Sequence, residues 1–336
     1  MQLSFFTVQD HYPGLSRSVP ELYTAVIRLA EHAEALGYDT FFSAEHHFHE
    51  YGVVPNPAVL LSALAQRTRR LRLGSAIATL PFHNPIDVAE AYAMVDVLSG
   101  GRLVLGVGSG YLKHEFTGYA IDGAEKRERF DEGLEILRRL LAGERVTTQG
   151  RFSRLDDVAL NVLPLQSPVP IYVAVLNKDA LYHVGRQGHD VMCVPYASVD
   201  RLEDVGGMVD SYRRGRREAG LDPASTGLWT FHTHVAESEA RCRHEAEAAF
   251  NLYVETRLYA KRQTYDDILR SDLALFGSVE QVVDKVLRLH AMGIRHIVAL
   301  QNFGLMPQEC VRTAMELLAR EVMPRVEARL GTTISA

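Results

Sequence analysis

The stretch Ala35-Leu36-Gly37-Tyr38-Asp39-Thr40-Phe41-Phe42-Ser43-Ala44-Glu45-His46-His47-Phe48-His49-Glu50 decides how the chain folds. Its first residues close a segment of helical period, Val19–Leu36, and Gly37 supplies the left-handed residue on which such helices commonly end. Thr40–Ala44 then reads as a short buried strand, and a polar cluster follows directly at its end. The same alternation recurs along the chain. Strands are expected at Leu3–Val8, Thr40–Ala44, Leu71–Ala78, Leu103–Val107, Ile171–Val175, Val191–Val194, Leu228–Val235 and His296–Leu300, each followed by a helical segment. The last helix is expected over Pro307–Arg329, with proline at its start. Eight strand–helix pairs argue for an α/β protein with a parallel sheet. Periodicity does not separate a closed barrel from an open doubly wound sheet, but the count favours a (β/α)8 TIM barrel.

At 336 residues the chain exceeds a minimal barrel by about 86 residues. The surplus gathers at Gly108–Gly123, Gly143–Gln166 and Lys261–Gly277. The middle stretch reads as a hairpin around Gly150. With no linker or repeat to divide the chain, a single domain over residues 1–336 is expected, its insertions walling the active-site mouth. A composition 47% hydrophobic and 23% charged excludes disordered, collagen-like and coiled-coil classes. The net charge of −6 speaks against nucleic-acid or anionic-membrane binding and leaves a small molecule as the expected partner. Cys193, Cys242 and Cys310 lack CxxC spacing, so no disulfide framework or zinc knuckle is expected and a reducing cytoplasm suits them. Neither an export signal nor an 18-residue apolar run is present. The excess of Arg over Lys reads as GC-rich coding rather than chemistry.

The cluster Glu45-His46-His47-Phe48-His49-Glu50 follows a strand end, where a barrel presents its catalytic loops. Imidazoles there can move protons or bind metal. Adjacent side chains on an extended segment point to opposite sides, so at most some could converge, HExxH is absent, and no metal site is expected. A polar loop bonding backbone carbonyls is the ordinary alternative. Gly106-Val107-Gly108-Ser109-Gly110 lacks the third glycine of GxGxxG and is equally a tight turn at the end of a buried strand. Asn177-Lys178-Asp179-Ala180 opens a helix whose free amides favour an anion, although Asn177 is also an ordinary N-cap. His232 and His234 alternate on a strand and read as packed. The run Arg213–Arg217 reads as a solvated helix face.

With EHHF at 45–48, Gly52-Val53-Val54-Pro55-Asn56-Pro57, Leu71–Ala76, Thr79-Leu80-Pro81, Gly101-Arg102 and Glu321–Pro324, nearly the whole chain resembles the bacterial luciferase family of flavin-dependent monooxygenases. The resemblance implies a (β/α)8 barrel with insertions and reduced FMN at its C-terminal mouth. It further implies that His46 is the catalytic imidazole, with Glu45 and His47 beside it. Ala76-Ile77 would form a non-prolyl cis peptide under the isoalloxazine, and Ser109, Gly110 and Val194 would contact the flavin. Asn177, Lys178, Asp179 and Ala180 would hold its phosphate. Ser109 stands where luciferases carry an arginine, Leu176 and Asn177 replace a glutamate and a serine, and Val194-Pro195 replace a Ser-Trp pair.

From that resemblance we expect a two-component monooxygenase that takes reduced FMN from an NAD(P)H:flavin reductase. With O2 it would oxygenate a small organic substrate, in secondary-metabolite (antibiotic) biosynthesis, as a homodimer. Phe6, Tyr111, Leu112, Tyr196 and Phe303 are expected to keep the mouth dry. The alternatives are a deazaflavin (F420)-dependent hydride-transfer enzyme and a non-catalytic flavin-binding subunit. Light emission is not expected.

Overall fold

The computed structural model describes residues 1–15, 17–224, 227–256 and 262–334. Eight parallel strands form a closed barrel: β1 (Gln2–Thr7), β2 (Thr40–Ser43), β3 (Arg72–Thr79), β4 (Leu103–Gly108), β7 (Ile171–Val175), β8 (Asp190–Cys193), β9 (Leu228–Ala236) and β11 (His296–Leu300). Each pairs with its neighbour in this order, β11 returns to β1, and Met192 and Cys193 meet Leu228 and Trp229 where β8 joins β9. These are the eight strands expected from sequence, with no end moved by more than one residue. An antiparallel hairpin, β5 (Val146–Gln149) and β6 (Arg154–Val158), fills the middle insertion.

Local chemistry sets the element ends. Helix Val19–Leu36 starts with a capping box, Ser18 and Glu21, and stops at Gly37, whose φ of 81° is one that a Cβ disfavours. Its buried residues Leu22, Val26, Leu29, Ala30 and Ala33 fall on one stripe against the barrel. The barrel strands are buried on both faces, so they read as apolar runs rather than alternations.

Two expectations change. Of the segment Lys261–Gly277, Lys261 lies outside the described residues, and the remainder is not a loose polar tail. It forms a helix, Tyr265–Ser271, and leads into β10 (Leu275–Ser278), a ninth parallel strand that lines up on the far half of β9. Nor do all three insertions wall the mouth. Only the first does so, through Ser109, Gly110, Tyr111 and Glu115; the hairpin and the described part of the third lie off the cavity. Hairpin residues Arg151, Phe152 and Ser153 instead donate their amides to Glu132.

Candidate active site

A cavity of about 300 Å³ opens at the C-terminal ends of the barrel strands, where parallel-barrel sites form. Glu45, His46, Ala76, Ile77, Ser109, Gly110, Asn177, Ala180 and Val194 all line it. His47, Lys178 and Asp179 do not. Asp179 donates its amide to Asn177 Oδ1 at 2.9 Å, and the Ala180 amide reaches the Asn177 carbonyl at 3.0 Å, so this helix start spends those donors on its own turn.

His46 is held from three sides. Its amide donates to the Val54 carbonyl at 3.2 Å, and its ring lies 4.6 Å from that of Tyr51. Its Nδ1 sits 3.1 Å from Glu115 Oε1, which also accepts the His47 amide at 3.0 Å. An ionised carboxylate only accepts, so this contact puts a proton on Nδ1 and leaves Nε2 as the second exchange site of the ring. Gly52 explains part of the GVVPNP pattern: a Cβ there would meet His46 Cδ2 at 2.7 Å, so only glycine lets this backbone close over the imidazole. Glu115 comes from the first insertion, 69 residues from His46, and no spacing in the sequence marks it.

Behind His46 lies a second network. Glu45 Oε1 accepts hydrogen bonds from His47 Nε2 at 3.2 Å, His83 Nε2 at 2.9 Å and the Thr79 amide at 3.2 Å. Burial would push its carboxyl up, but the His47 and His83 hydrogen bonds outweigh it and hold Glu45 at about 2. For His83, burial acts downward and the Glu45 contact more than reverses it, raising its pKa. His47 Nδ1 meets the Tyr119 hydroxyl at 3.1 Å, and its ring stands edge-on to Phe82 and Tyr119. His47 therefore braces Glu45 rather than facing the cavity. His83 and Tyr119 were not singled out from sequence.

The peptide Ala76-Ile77 is cis, and the β3–β4 register shifts between Ser75 and Ala78 beside it. The glycine stretch at 106–110 mainly serves strand packing. A Cβ at Gly106 would meet Ser75 O at 2.3 Å, and one at Gly108 would meet Ile77 Cδ1 at 2.1 Å. Lys126 and Arg127, two cations at the start of helix Lys126–Leu141, also line the cavity, and Arg127 Nε donates to Asp131 Oδ2 at 2.9 Å. These two cations went unrecognised in the sequence. Phe6, Tyr51, Tyr111, Tyr196 and Tyr253 supply aromatic wall, whereas Leu112 and Phe303 are buried away from the cavity. His232 is fully buried in an aromatic cage with no hydrogen-bond partner for either nitrogen among the described residues, and His234 bonds Glu245 at 2.8 Å; both pack, as expected.

A closed parallel barrel with a polar-tipped cavity at its C-terminal mouth defines the α/β-barrel enzymes. Within them the chain belongs to the luciferase-like monooxygenase family, which residues 1–296 match, and it is accordingly an oxidoreductase. The crystal structure of monooxygenase RslO1 from Streptomyces bottropensis superposes with a TM-score of 0.89 at 31% identity, covering 97% of this chain and 99% of that one. The 4-hydroxyprotoasukamycin monooxygenase of Streptomyces nodosus subsp. asukaensis is 29% identical over 92% of this chain and 88% of its own. The oxygenase component of the flavin-dependent trigonelline monooxygenase of Acinetobacter baylyi is 24% identical over 100% and 99%. An F420-dependent glucose-6-phosphate dehydrogenase of Amycolatopsis mediterranei matches at 32% over 53% and 56%. Among the described residues no helix is long and apolar enough to cross a membrane.

Proposed function

We propose that this chain is the oxygenating component of a two-component monooxygenase. It would take reduced FMN from a separate NAD(P)H:flavin reductase and insert one oxygen atom of O2 into a small organic substrate, the other leaving as water. The observation that carries the reading is the make-up of one cavity: an imidazole fixed by Glu115, with Lys126 and Arg127 in the same lining. The residues fit the cofactor. Apolar wall around Ile77, Val175 and Val194 suits a flat ring system, and the two cations suit a phosphate.

Reduced FMN, when bound, supplies the two electrons that divide O2 between product and water. Lys126 and Arg127 would hold its phosphate, taking over from the arginine that Ser109 replaces. His46 would give and take a proton at Nε2, with Glu115 keeping the ring turned toward the reacting atoms. Glu45 and His47 would act through the wall behind it. Phe6, Tyr51, Tyr196 and Tyr253 would exclude water and pack a largely apolar substrate. The names of the Streptomyces relatives support a role in secondary metabolism. The three free cysteines suit a reducing cytoplasm.

Helices Pro57–Arg67 and Pro85–Ser99 pack together and expose Val59, Met94, Val97 and Leu98, which we assign to contact with a second copy of the chain. A second reading, hydride transfer with F420, draws on the Amycolatopsis match and needs no oxygen. Anaerobic titration with reduced FMN and reduced F420, followed by admission of oxygen, separates the two.

A further inference from the structure

Strand-like alternation puts Glu45 and His47 on one side of their segment and His46 on the other. The sequence therefore offers two converging ligand types, and the structure brings a third, His83, from the turn after β3. The coordinating atoms of Glu45, His47 and His83 all lie within 4.8 Å of one another. Two of the three edges, 2.9 and 3.2 Å, already match the edge of about 3.3 Å that a tetrahedral zinc site requires with bonds near 2.0 Å. The third edge is at most 4.8 Å, and His83 is the ligand with a partly exposed ring.

We propose that Glu45, His47 and His83 form a site for one divalent transition-metal ion of the zinc and cobalt class. Two imidazoles and a carboxylate are a borderline ligand set that such ions prefer over calcium or magnesium. The buried Glu45 carboxylate supplies negative charge on the spot. Tyr119 makes the tautomer adjustable: its hydroxyl can donate to His47 Nδ1 or accept from it, so Nε2 can exchange its proton for the metal while the outer contact persists. Entry would be through a surface depression of about 230 Å³ that shares no lining residue with the cavity and that His83 lines together with Asn84 and Phe152. The ion would sit directly behind the cavity wall that Glu45 forms. The site does not depend on the flavin assignment.

The test is cobalt(II) titration of tag-free, chelator-treated full-length protein, read by visible absorbance, with zinc(II) as competitor. One equivalent should bind with ligand-field bands, and zinc should abolish them. His83→Ala should lose the bands, and Tyr119→Phe, which retains all three ligands, should weaken binding by roughly 10–100-fold. His244→Ala, at an exposed histidine of helix Glu239–Thr256, should change nothing. The proposal is overturned if no saturable band forms, if His83→Ala keeps it, or if His244→Ala removes it.

Discussion

Glu115 Oε1 lies 3.1 Å from His46 Nδ1 and 3.0 Å from the His47 amide, so one buried carboxylate fixes both the ring and the backbone of the histidine pair. Glu115→Ala removes an acceptor that water cannot easily replace at a residue 3% exposed. We expect a stability loss of about 1–3 kcal/mol from the unpaired donors. We also expect His46, a defined Nδ1–H tautomer in the wild type, to become a mixture. Imidazole nitrogen NMR of the cofactor-free protein reads this directly, and an unchanged tautomer in the variant would contradict the positioning role.

The Glu45–His83 contact makes stability depend on pH at both ends. Glu45 is depressed from 4.5 to about 2, so its contribution is in place above 4.5 and is lost as pH falls toward 2. A shift of that size corresponds to about 3 kcal/mol, shared among its partners. His83 is raised, so its contribution is in place below 6.5 and is lost as pH rises through its elevated value. His83→Gln should therefore be destabilised most at about pH 5 to 6, with the difference narrowing in both directions. Urea unfolding of both proteins across pH 3–9 checks this, and a pH-independent difference would refute it.

His232 behaves in the opposite sense. Burial alone pushes its imidazole down to about 3, so the folded protein keeps it neutral while the unfolded chain takes up a proton below 6.5. Its presence thus costs stability as pH falls from 6.5 toward 3, by up to about 1.4 kcal/mol per pH unit. Neither ring nitrogen has a hydrogen-bond partner among the described residues, and Tyr196, Phe250, Tyr253 and Phe303 surround the ring. His232→Phe should exceed the wild type in stability, by a margin that grows between pH 7 and pH 4. Thermal melts at the two pH values decide it; a variant weaker at both would show that the cage needs the imidazole.

Met94 and Val97 are 53% and 40% exposed on a helix that is apolar around most of its circumference. Such a helix is stable when both faces are covered. If a second copy covers the outer face, Met94→Glu together with Val97→Glu should convert a dimer to a monomer in sedimentation velocity. An unaltered sedimentation coefficient would reject this surface.

The barrel was legible because its determinants are local: Gly37 after a helical stripe, apolar strands buried on both faces, and a polar cluster at a strand end. The ninth strand, Leu275–Ser278, escaped because half of its four residues, Gly277 and Ser278, carry turn chemistry rather than strand propensity. The site was half legible. Glu45, His46 and the Ala76-Ile77 peptide follow motifs contiguous in sequence. Glu115 and His83 reach the site across sequence separations of 69 and 38 residues, and Lys126 and Arg127 from a helix start. A single acidic or basic residue in an insertion carries no mark of its destination. The start of the helix after β7 is the clearest case: the sequence points to the amides of 177–180, whereas folding commits those of Asp179 and Ala180 to their own turn, and the cavity lining includes Lys126 and Arg127.

The central claim is that this cavity binds reduced FMN and uses it with oxygen. Anaerobic titration of the protein with reduced FMN, repeated with the Lys126→Ala/Arg127→Ala variant and with reduced F420, tests it most directly when oxygen is then admitted in a stopped-flow instrument. We predict saturable binding of one reduced FMN per chain and affinity at least about tenfold lower in the double variant, as two phosphate contacts imply. We also predict flavin oxidation with kinetics distinct from those of free flavin. Reduced F420 binding in place of reduced FMN, or oxidation indistinguishable from that of free flavin, would contradict the account.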